Sequence, residues 1–522
     1  MSTATAAGGG RMPAGVPYII SSEFGERFCN NGINAILAVY MVQFLQVGEA
    51  QATTWQALFK SGAFLLPLLG AVLSDVLWGK FRTILGFSVA YVAGCAVLAL
   101  SSGTQGLAIG LFLIAFGTGG IKPCVSTNMG DQFADRNQHL IGRAFSWLYL
   151  TANAGALLSM LLCPWLLAHS GPRWAFGIPA IVMAAATLRL WLGRARFVVL
   201  PPAGRQWLRD VFSAEGARLV GRLAVVYCFT AIFWSLLDQS IGVTWALQAQ
   251  SVLMDKELGL GITLLPGQIS FVNALFILLL VPLFTYVVYP RLGRYVEVTA
   301  PRKIGVGLLF AAASYMVVAW IEGRIQQGIV TSVWWQILAY AILTAGEVLV
   351  SITALEYSYR QAPLRMKSFV MALYLLSIST GNLITAAVSH SMVEPVRGVQ
   401  VRAGQQTTLV LPADGGFVPG QKIDFSGDTG ITQQLPTGKS RPLGGTYIVG
   451  AIHNGQAPLL DVVARQPVTA AGQLRPLARV STYRLVGPEF FLFFSYLMLG
   501  AAVLWVFVAM RIREQTFVRQ DA

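Results

Sequence analysis

Long apolar stretches separated by short, polar and mostly basic connections recur along almost the whole chain. Twelve of them fall at residues 23–46, 54–76, 80–100, 104–125, 140–167, 172–194, 222–250, 267–289, 303–322, 332–360, 366–392 and 487–512. Each is about the 20 residues that, at 1.5 Å apiece, cross roughly 30 Å of hydrocarbon. The pattern predicts an all-α polytopic membrane protein with twelve transmembrane helices. Between the last two stretches the pattern changes. Residues 393–486 are rich in Gly, Pro, Thr, Gln and β-branched positions, with short alternating runs at Thr446–Ile452 and Leu459–Ala464 broken by turn residues. They predict a small β-rich domain on the non-cytoplasmic face, held by its own core or by docking to the membrane part.

Composition agrees with the membrane reading. The hydrophobic fraction is 55% and the charged fraction 11%, too little charge to coat a water-soluble surface. A disordered chain, a collagen and a disulfide scaffold are excluded as well. A net charge of +14 would suggest nucleic acid if the basic residues were clustered at random. They are not. One set of connections carries Lys80, Arg82, Arg136, Arg143, Arg194, Arg196, Arg205, Arg209, Arg291, Arg294, Arg302, Lys303, Arg360, Arg365, Arg511 and others, whereas the short opposite loops carry Arg173, Lys256 and Arg324. The positive-inside rule then places both termini in the cytoplasm and leaves no nucleic-acid partner to explain. Residues 1–20 read as a disordered cytoplasmic tail without the h-region or cleavage site of a signal peptide, and 513–522 as a second tail. Residues 195–221 read as a cytoplasmic linker with an amphipathic helix on the inner leaflet. The five cysteines, Cys29, Cys95, Cys124, Cys163 and Cys228, sit within or at the ends of apolar stretches, as small packing residues without metal-ligand spacing.

Arg27, Lys60, Lys122 and Arg189 remain inside the stretches, with Glu23, Glu26, Asp75, Asp238, Glu347 and Glu356. A charge at membrane depth costs about 3 kcal/mol on insertion scales and ordinarily faces a partner or a water-filled path. Arg189 and Asp75 lie near span ends, where snorkelling suffices. On helix 1, Glu23, Glu26, Arg27, Asn30, Asn31 and Asn34 fall within one polar stripe at 100° per residue. Such a stripe lines a cavity or ties helices in a static ion-pair network. Two carboxylates around one arginine exceed charge balance, so the surplus acid is a candidate proton carrier. Asp238 and Glu347 lie mid-span in the second half of the chain and are read either as protonated structural groups or as acids pairing with the basic first half. Lys122 interrupts Gly117-Thr-Gly-Gly-Ile-Lys122-Pro123, where glycines allow close helix approach and proline breaks the ladder. The four histidines, His139, His169, His390 and His453, are scattered and form no catalytic set. An enzyme is not expected.

At these residues the sequence resembles the proton-dependent oligopeptide transporter family, the peptide symporters of the major facilitator superfamily. Glu23-Phe-Gly-Glu26-Arg27-Phe28 fits its first-helix motif, and Gly70-Ala-Val-Leu-Ser-Asp75 with Gly79-Lys80 the superfamily's loop after helix 2. Gly119-Gly-Ile-Lys122-Pro-Cys-Val with Gly130-Asp-Gln-Phe133, Tyr149 to Gly155 around Asn153, and Phe233-Trp234 to Asp238-Gln239 follow in family order. So do Asn273, Pro282, Gly346-Glu347 to Glu356, Gln361-Ala-Pro363, Met366-Lys-Ser368 and Gly381-Asn382.

The resemblance implies a major facilitator fold: a six-helix bundle over 21–194, helices 7–11 of a second bundle over 222–392, the β-rich domain 393–486, and helix 12 over 487–512. It implies a proton-coupled symporter of the cell inner membrane that imports di- and tripeptides by alternating access, or a same-fold transporter of a single amino acid, an anion or a peptide-like compound. Glu23, Glu26, Arg27 and Asp238 belong by analogy to proton coupling; Lys122, Tyr149, Asn153, Asn273 and Glu347 would contact peptide. The sequence departs from the family at Asn30, Asn31, Asn34, Phe64 and Tyr374, where the family has tyrosines, an arginine, a tyrosine and a tryptophan. Asn34 and Tyr374 are therefore carried as substrate-site positions with altered chemistry. Lys60, one turn beyond Ala57 on helix 2, either replaces the missing cation or pairs with Asp238. No cofactor beyond the coupling proton is expected; the partners are small peptides, protons and the lipid bilayer, and the chain is expected to be a monomer.

Overall fold

The computed structural model describes residues 12–133, 137, 140–198, 214–259, 261–361, 367–412, 416–434, 440–476, 478–485 and 487–511. Among the described residues, twelve long helical elements run in order. They are α1 (Val16–Gln43), α2 (Glu49–Leu65, resumed as Pro67–Val72), α3 (Lys80–Leu100), α4 (Thr104–Asp131), α5 (Ile141–Ser170), α6 (Pro172–Leu192), α7 (Ala214–Gly242, resumed as Thr244–Gln248), α8 (Phe271–Leu283), α9 (Ala300–Gln326), α10 (Val333–Glu347, resumed as Thr353–Gln361), α11 (Lys367–Ser391) and α12 (Glu489–Ala509). Wide π-turns at Leu73–Trp78, Phe284–Val288 and Val348–Ile352 extend α2 and α8 and interrupt α10.

Among the described residues, ten helices are long and apolar enough to cross a membrane. The other two stretches expected to span are α1 and α11, of 28 and 25 residues. Both have spanning length, and α1 carries Glu23, Glu26 and Arg27 inside it. α1 also begins at Val16, inside the stretch read as a tail, because Val16 and Ile19 are buried hydrophobic positions that extend the helical face. Of the amphipathic helix expected around residues 206–222, residues 206–213 fall outside the described residues and 214–222 are the first turns of α7, continuous with the membrane helix; the C-terminal tail falls outside the described residues.

The chain divides into two compact units that do not follow the expected halves, because the division cuts α1, α2 and α11. The first comprises residues through Ile33, Gly62–Arg218 and Leu364–Leu376. Here α2 and α4 approach backbone to backbone: a Cβ on Gly70 would stand 2.1 Å from the Gly119 carbonyl oxygen, so only glycine fits. The Cys29 thiol donates to the Pro179 carbonyl at 2.9 Å, tying α1 to α6.

The second unit comprises Asn34–Ser61, Leu219–Pro363 and Ser377–Ala522. The Tyr315 hydroxyl on α9 donates to the Leu236 carbonyl at 2.6 Å, and the Trp505 indole on α12 to the Pro301 carbonyl at 2.8 Å. Two short strands, β1 (Met254–Asp255) and β2 (Thr331–Ser332), pair in parallel. The insert folds as ten further strands, β3 (Val393–Pro395), β4 (Gln400–Arg402), β5 (Thr408–Val410), β6 (Lys422–Ser426), β7 (Ile431–Gln434), β8 (Ser440–Pro442), β9 (Gly445–Val449), β10 (Gln456–Asp461), β11 (Thr469–Gly472) and β12 (Arg479–Tyr483). A seven-stranded antiparallel sheet has the order β3-β12-β6-β9-β10-β5-β4, and a three-stranded one β11-β7-β8. Leu409, Ile423, Phe425, Tyr447, Val449 and Leu459 form the insert's core. All five residues of β9 are buried, since one face meets this core and the other is covered by the start of α2.

Candidate functional site

In the first unit, the polar stripe on α1 is a compact ionic cluster. Arg27 Nε lies 2.8 Å from Glu23 Oε1 and 3.7 Å from Glu26 Oε2. Asn30 donates to Glu26 Oε1 at 3.1 Å, and Asn31 to the Arg27 carbonyl at 3.0 Å. Glu26 is 1% exposed, and its Oε2 accepts no hydrogen bond. A buried carboxylate oxygen near a single guanidinium, with no donor of its own, is a place where a proton can be held. On α4 the Lys122 ammonium stands 4.2 Å from the centre of the Phe64 ring, a cation–π contact at the position where the resemblance had a tyrosine. Tyr149 and Asn153 are neighbours on α5, with Asn153 Nδ2 donating to the Tyr149 carbonyl at 2.8 Å and the Tyr149 ring 54% exposed. Tyr374 is buried on α11.

In the second unit, Lys60 pairs with Asp238. Its ammonium donates to the Asp238 carbonyl at 2.7 Å and to Oδ1 at 3.2 Å. Asn382 donates to the other oxygen, Oδ2, at 2.7 Å. Of the two alternatives open for Lys60, the ion pair is the one formed. Both carboxylate oxygens of Asp238 are thereby occupied, as a largely buried charge requires. One turn earlier on α2, Gln56 Nε2 reaches the Gly242 carbonyl at 3.2 Å and the Asn34 side-chain oxygen at 3.4 Å. The second half of α1 is thus joined to the first half of α2, and that to α7. Ser61 and Ser379 share a 2.8 Å hydrogen bond that adds α11.

Asn273 on α8 donates to Glu347 Oε2 at 2.8 Å and to the Thr344 hydroxyl at 3.0 Å. The π-turn Val348–Ile352 follows Glu347 directly, and such turns are frequent where a helix presents a functional side chain. Asn382, Gln56 and Thr344 were not singled out as site residues. Asn382 and Thr344 are polar positions inside apolar stretches, the same signal that marked Asp238 and Glu347. No group of three or more His, Cys, Asp or Glu able to hold a metal occurs among the described residues.

A model of the POT family matches residues 81–214 and 205–407. Human solute carrier family 15 member 2 is 31% identical over 369 residues, 61% of this chain and 50% of that protein. Peptide transporter family 1 of Drosophila melanogaster is 34% identical over 362 residues, 60% of this chain and 48% of that protein. The chain spans about half the length of the curated relatives it matches. Among solved structures, the POT family transporter PepTSo is 34% identical with a TM-score of 0.68, over 73% of this chain and 90% of that one. An auto-inhibited POT family peptide transporter is 28% identical with a TM-score of 0.72, over 98% of this chain and 99% of that one, so this likeness includes the β-rich insert. These relatives and neighbours are transporters, not enzymes.

Proposed function

The chain belongs to the proton-dependent oligopeptide transporter (POT) family, and from that premise we propose that it is a proton-coupled symporter that imports di- and tripeptides by alternating access. In this reading α1 and α11 complete twelve crossings of the cell inner membrane, with both termini cytoplasmic as the distribution of basic residues suggests. The observation that carries the reading is the arrangement of acids around single basic groups, Glu23 and Glu26 around Arg27 and Asp238 on Lys60. Glu26 has an oxygen with no hydrogen bond beside Arg27, and Asp238 is held by Lys60.

Protonation of Asp238 would discharge the carboxylate and weaken its pairing with Lys60, leaving the bond to the Asp238 carbonyl, so one of the bonds joining α2 to α7 is one a proton can break. Glu23, Glu26 and Arg27 load the proton in the same way on α1. For substrate, Glu347 is the acid assigned to the peptide ammonium and Lys122 the base assigned to its carboxylate. The amides of Asn153 and Asn273 both donate and accept, so they can read a peptide bond whatever its side chains. Tyr149 is exposed and able to contact the ligand. Asn34, bonded to Gln56, and Tyr374, buried, take supporting positions around the substrate.

Proteoliposome uptake tests this. Labelled dialanine should accumulate only with an inward proton gradient and be competed by other di- and tripeptides. Gradient-driven uptake of some other small solute, with no competition by any di- or tripeptide, would instead identify a same-fold transporter of an amino acid, an anion or a peptide-like compound.

A further inference from the structure

The second unit contains a groove that peptide transport leaves unused. It has a volume of about 1050 Å³ and opens between the end of α8, the first half of α9 and the end of α12. Its wall is apolar, with Phe284, Val288, Leu309, Phe310, Leu349 and Val506 among the lining residues. The groove exists because α8 is poorly covered: only 17% of its most apolar window is buried, against 39% or more for the other nine apolar helices. It continues through the π-turn Phe284–Val288. An apolar trough of this size at membrane depth is filled by hydrocarbon, because water gains no hydrogen bonds there.

One end of the trough is cationic. Arg302 and Lys303 line it from the first turn of α9, where the helix has no acidic residue and Thr299 makes no side-chain cap. Two cations at a helix start oppose the macrodipole, which favours an anion there. Lys303 Nζ is held 4.5 Å from the centre of the Tyr289 ring, and Arg302 Nη1 donates to the Glu297 carbonyl at 2.7 Å. The turn before α9 adds exposed Arg291 and Arg294; Glu297 is the one acid lining the rim. Half-buried Tyr289 lies at this same end, as interfacial aromatic residues do at headgroup level, and buried Trp505, bonded to the Pro301 carbonyl, backs it.

We propose that this groove is a binding site for one anionic glycerophospholipid, its acyl chain along Leu309, Phe310 and Val506 and its phosphate on Arg302 and Lys303. Charge decides the occupant. A bare hydrocarbon filler or a zwitterionic lipid would fill the trough and offer no net negative charge to Arg302 and Lys303, whereas an anionic headgroup does both.

The purified full chain, delipidated and titrated with phosphatidylglycerol or phosphatidylcholine of identical acyl chains, is read by native mass spectrometry. Two basic contacts at the usual surface increment predict a preference of roughly thirtyfold for phosphatidylglycerol. Arg302→Gln with Lys303→Gln should bring that preference close to unity while phosphatidylcholine occupancy stays as in the parent, which also reports an intact fold. Leu309→Trp, which fills the trough, should reduce occupancy by both lipids. Equal binding of the two lipids by the parent protein, an undiminished preference in the double variant, or displacement of phosphatidylglycerol by inorganic phosphate alone would each overturn the proposal. None of these readouts involves transport, so they stand apart from the uptake experiment.

Discussion

Glu23 and Glu26 share Arg27 unequally. Glu23 takes the guanidinium at 2.8 Å, while Glu26 is buried with one oxygen 3.7 Å from it and no hydrogen bond. Glutamine at either position keeps the size and removes the titratable proton. Glu26→Gln should therefore abolish gradient-driven dialanine uptake yet leave exchange of labelled for unlabelled dialanine largely intact; equal loss of both would assign the cluster a structural role. The stripe that makes this argument was visible in the sequence, because its residues recur at the helical interval on a single element. The Lys60 partner was not. Spacing along α2 names a face of a helix, and only packing names the helix that meets it, so replacement of a cation and pairing with Asp238 stayed equally open. Asn382 shows the same limit: its place in an apolar stretch marked it as polar at depth, but its bond to Asp238 joins residues 144 positions apart.

At the scale of elements, α2 starts in an unusual way. Its first amides are satisfied by side chains of the insert: Glu49 N–H donates to the Thr446 hydroxyl at 2.8 Å, and Ala50 N–H to the Tyr483 hydroxyl at 3.0 Å. Capping is ordinarily local, from the residue just before the helix, and no sequence signal announces a cap almost 400 positions away. Thr446→Val keeps the shape of β9 and removes the acceptor. It should cost about 1 kcal/mol, with faster hydrogen exchange at Glu49, and leave the insert's own core unaltered; unchanged exchange there would show that the contact contributes nothing. The run Thr446–Ile452 was legible as a strand, and β9 ends at Val449. That both of its faces are buried was not, since alternation records one covered face and α2 covers the other. The polarity of α1 illustrates the reverse case, where the residues that carry the chemistry lower the apolar signal that finds a membrane helix.

For the whole molecule, the two compact units run across the expected sets of six helices and cut α1, α2 and α11. The reason lies in the second unit, where Asn34–Ser61 is bonded to α7 and α11 and, at the start of α2, to the insert. Lys422 on β6 forms an ion pair with Glu49, and the Tyr483 hydroxyl donates to Asp424 Oδ2 at 2.9 Å. Space is short here: a Cβ on Gly48 would stand 2.1 Å from that same oxygen. Burial pushes Asp424 up from 3.8 to about 6, against hydrogen bonds from Thr446 and Tyr483, with the Glu49 charge raising it and Lys422 lowering it. Burial lowers Lys422, but Glu49 and Glu322 raise it by more, so it stays charged throughout this range. An acid whose folded value lies above its unfolded one binds a proton more tightly when docked. Its contribution is therefore fully present below about pH 4 and lost as pH rises through about 6, a difference of about 3 kcal/mol. Protection of the Glu49 and Ala50 amides, corrected for intrinsic exchange, should rise as pH falls from 7.5 to 4.5. Asp424→Asn should flatten that slope at the high-protection level, and a slope as steep as the parent's would place the titration on another group.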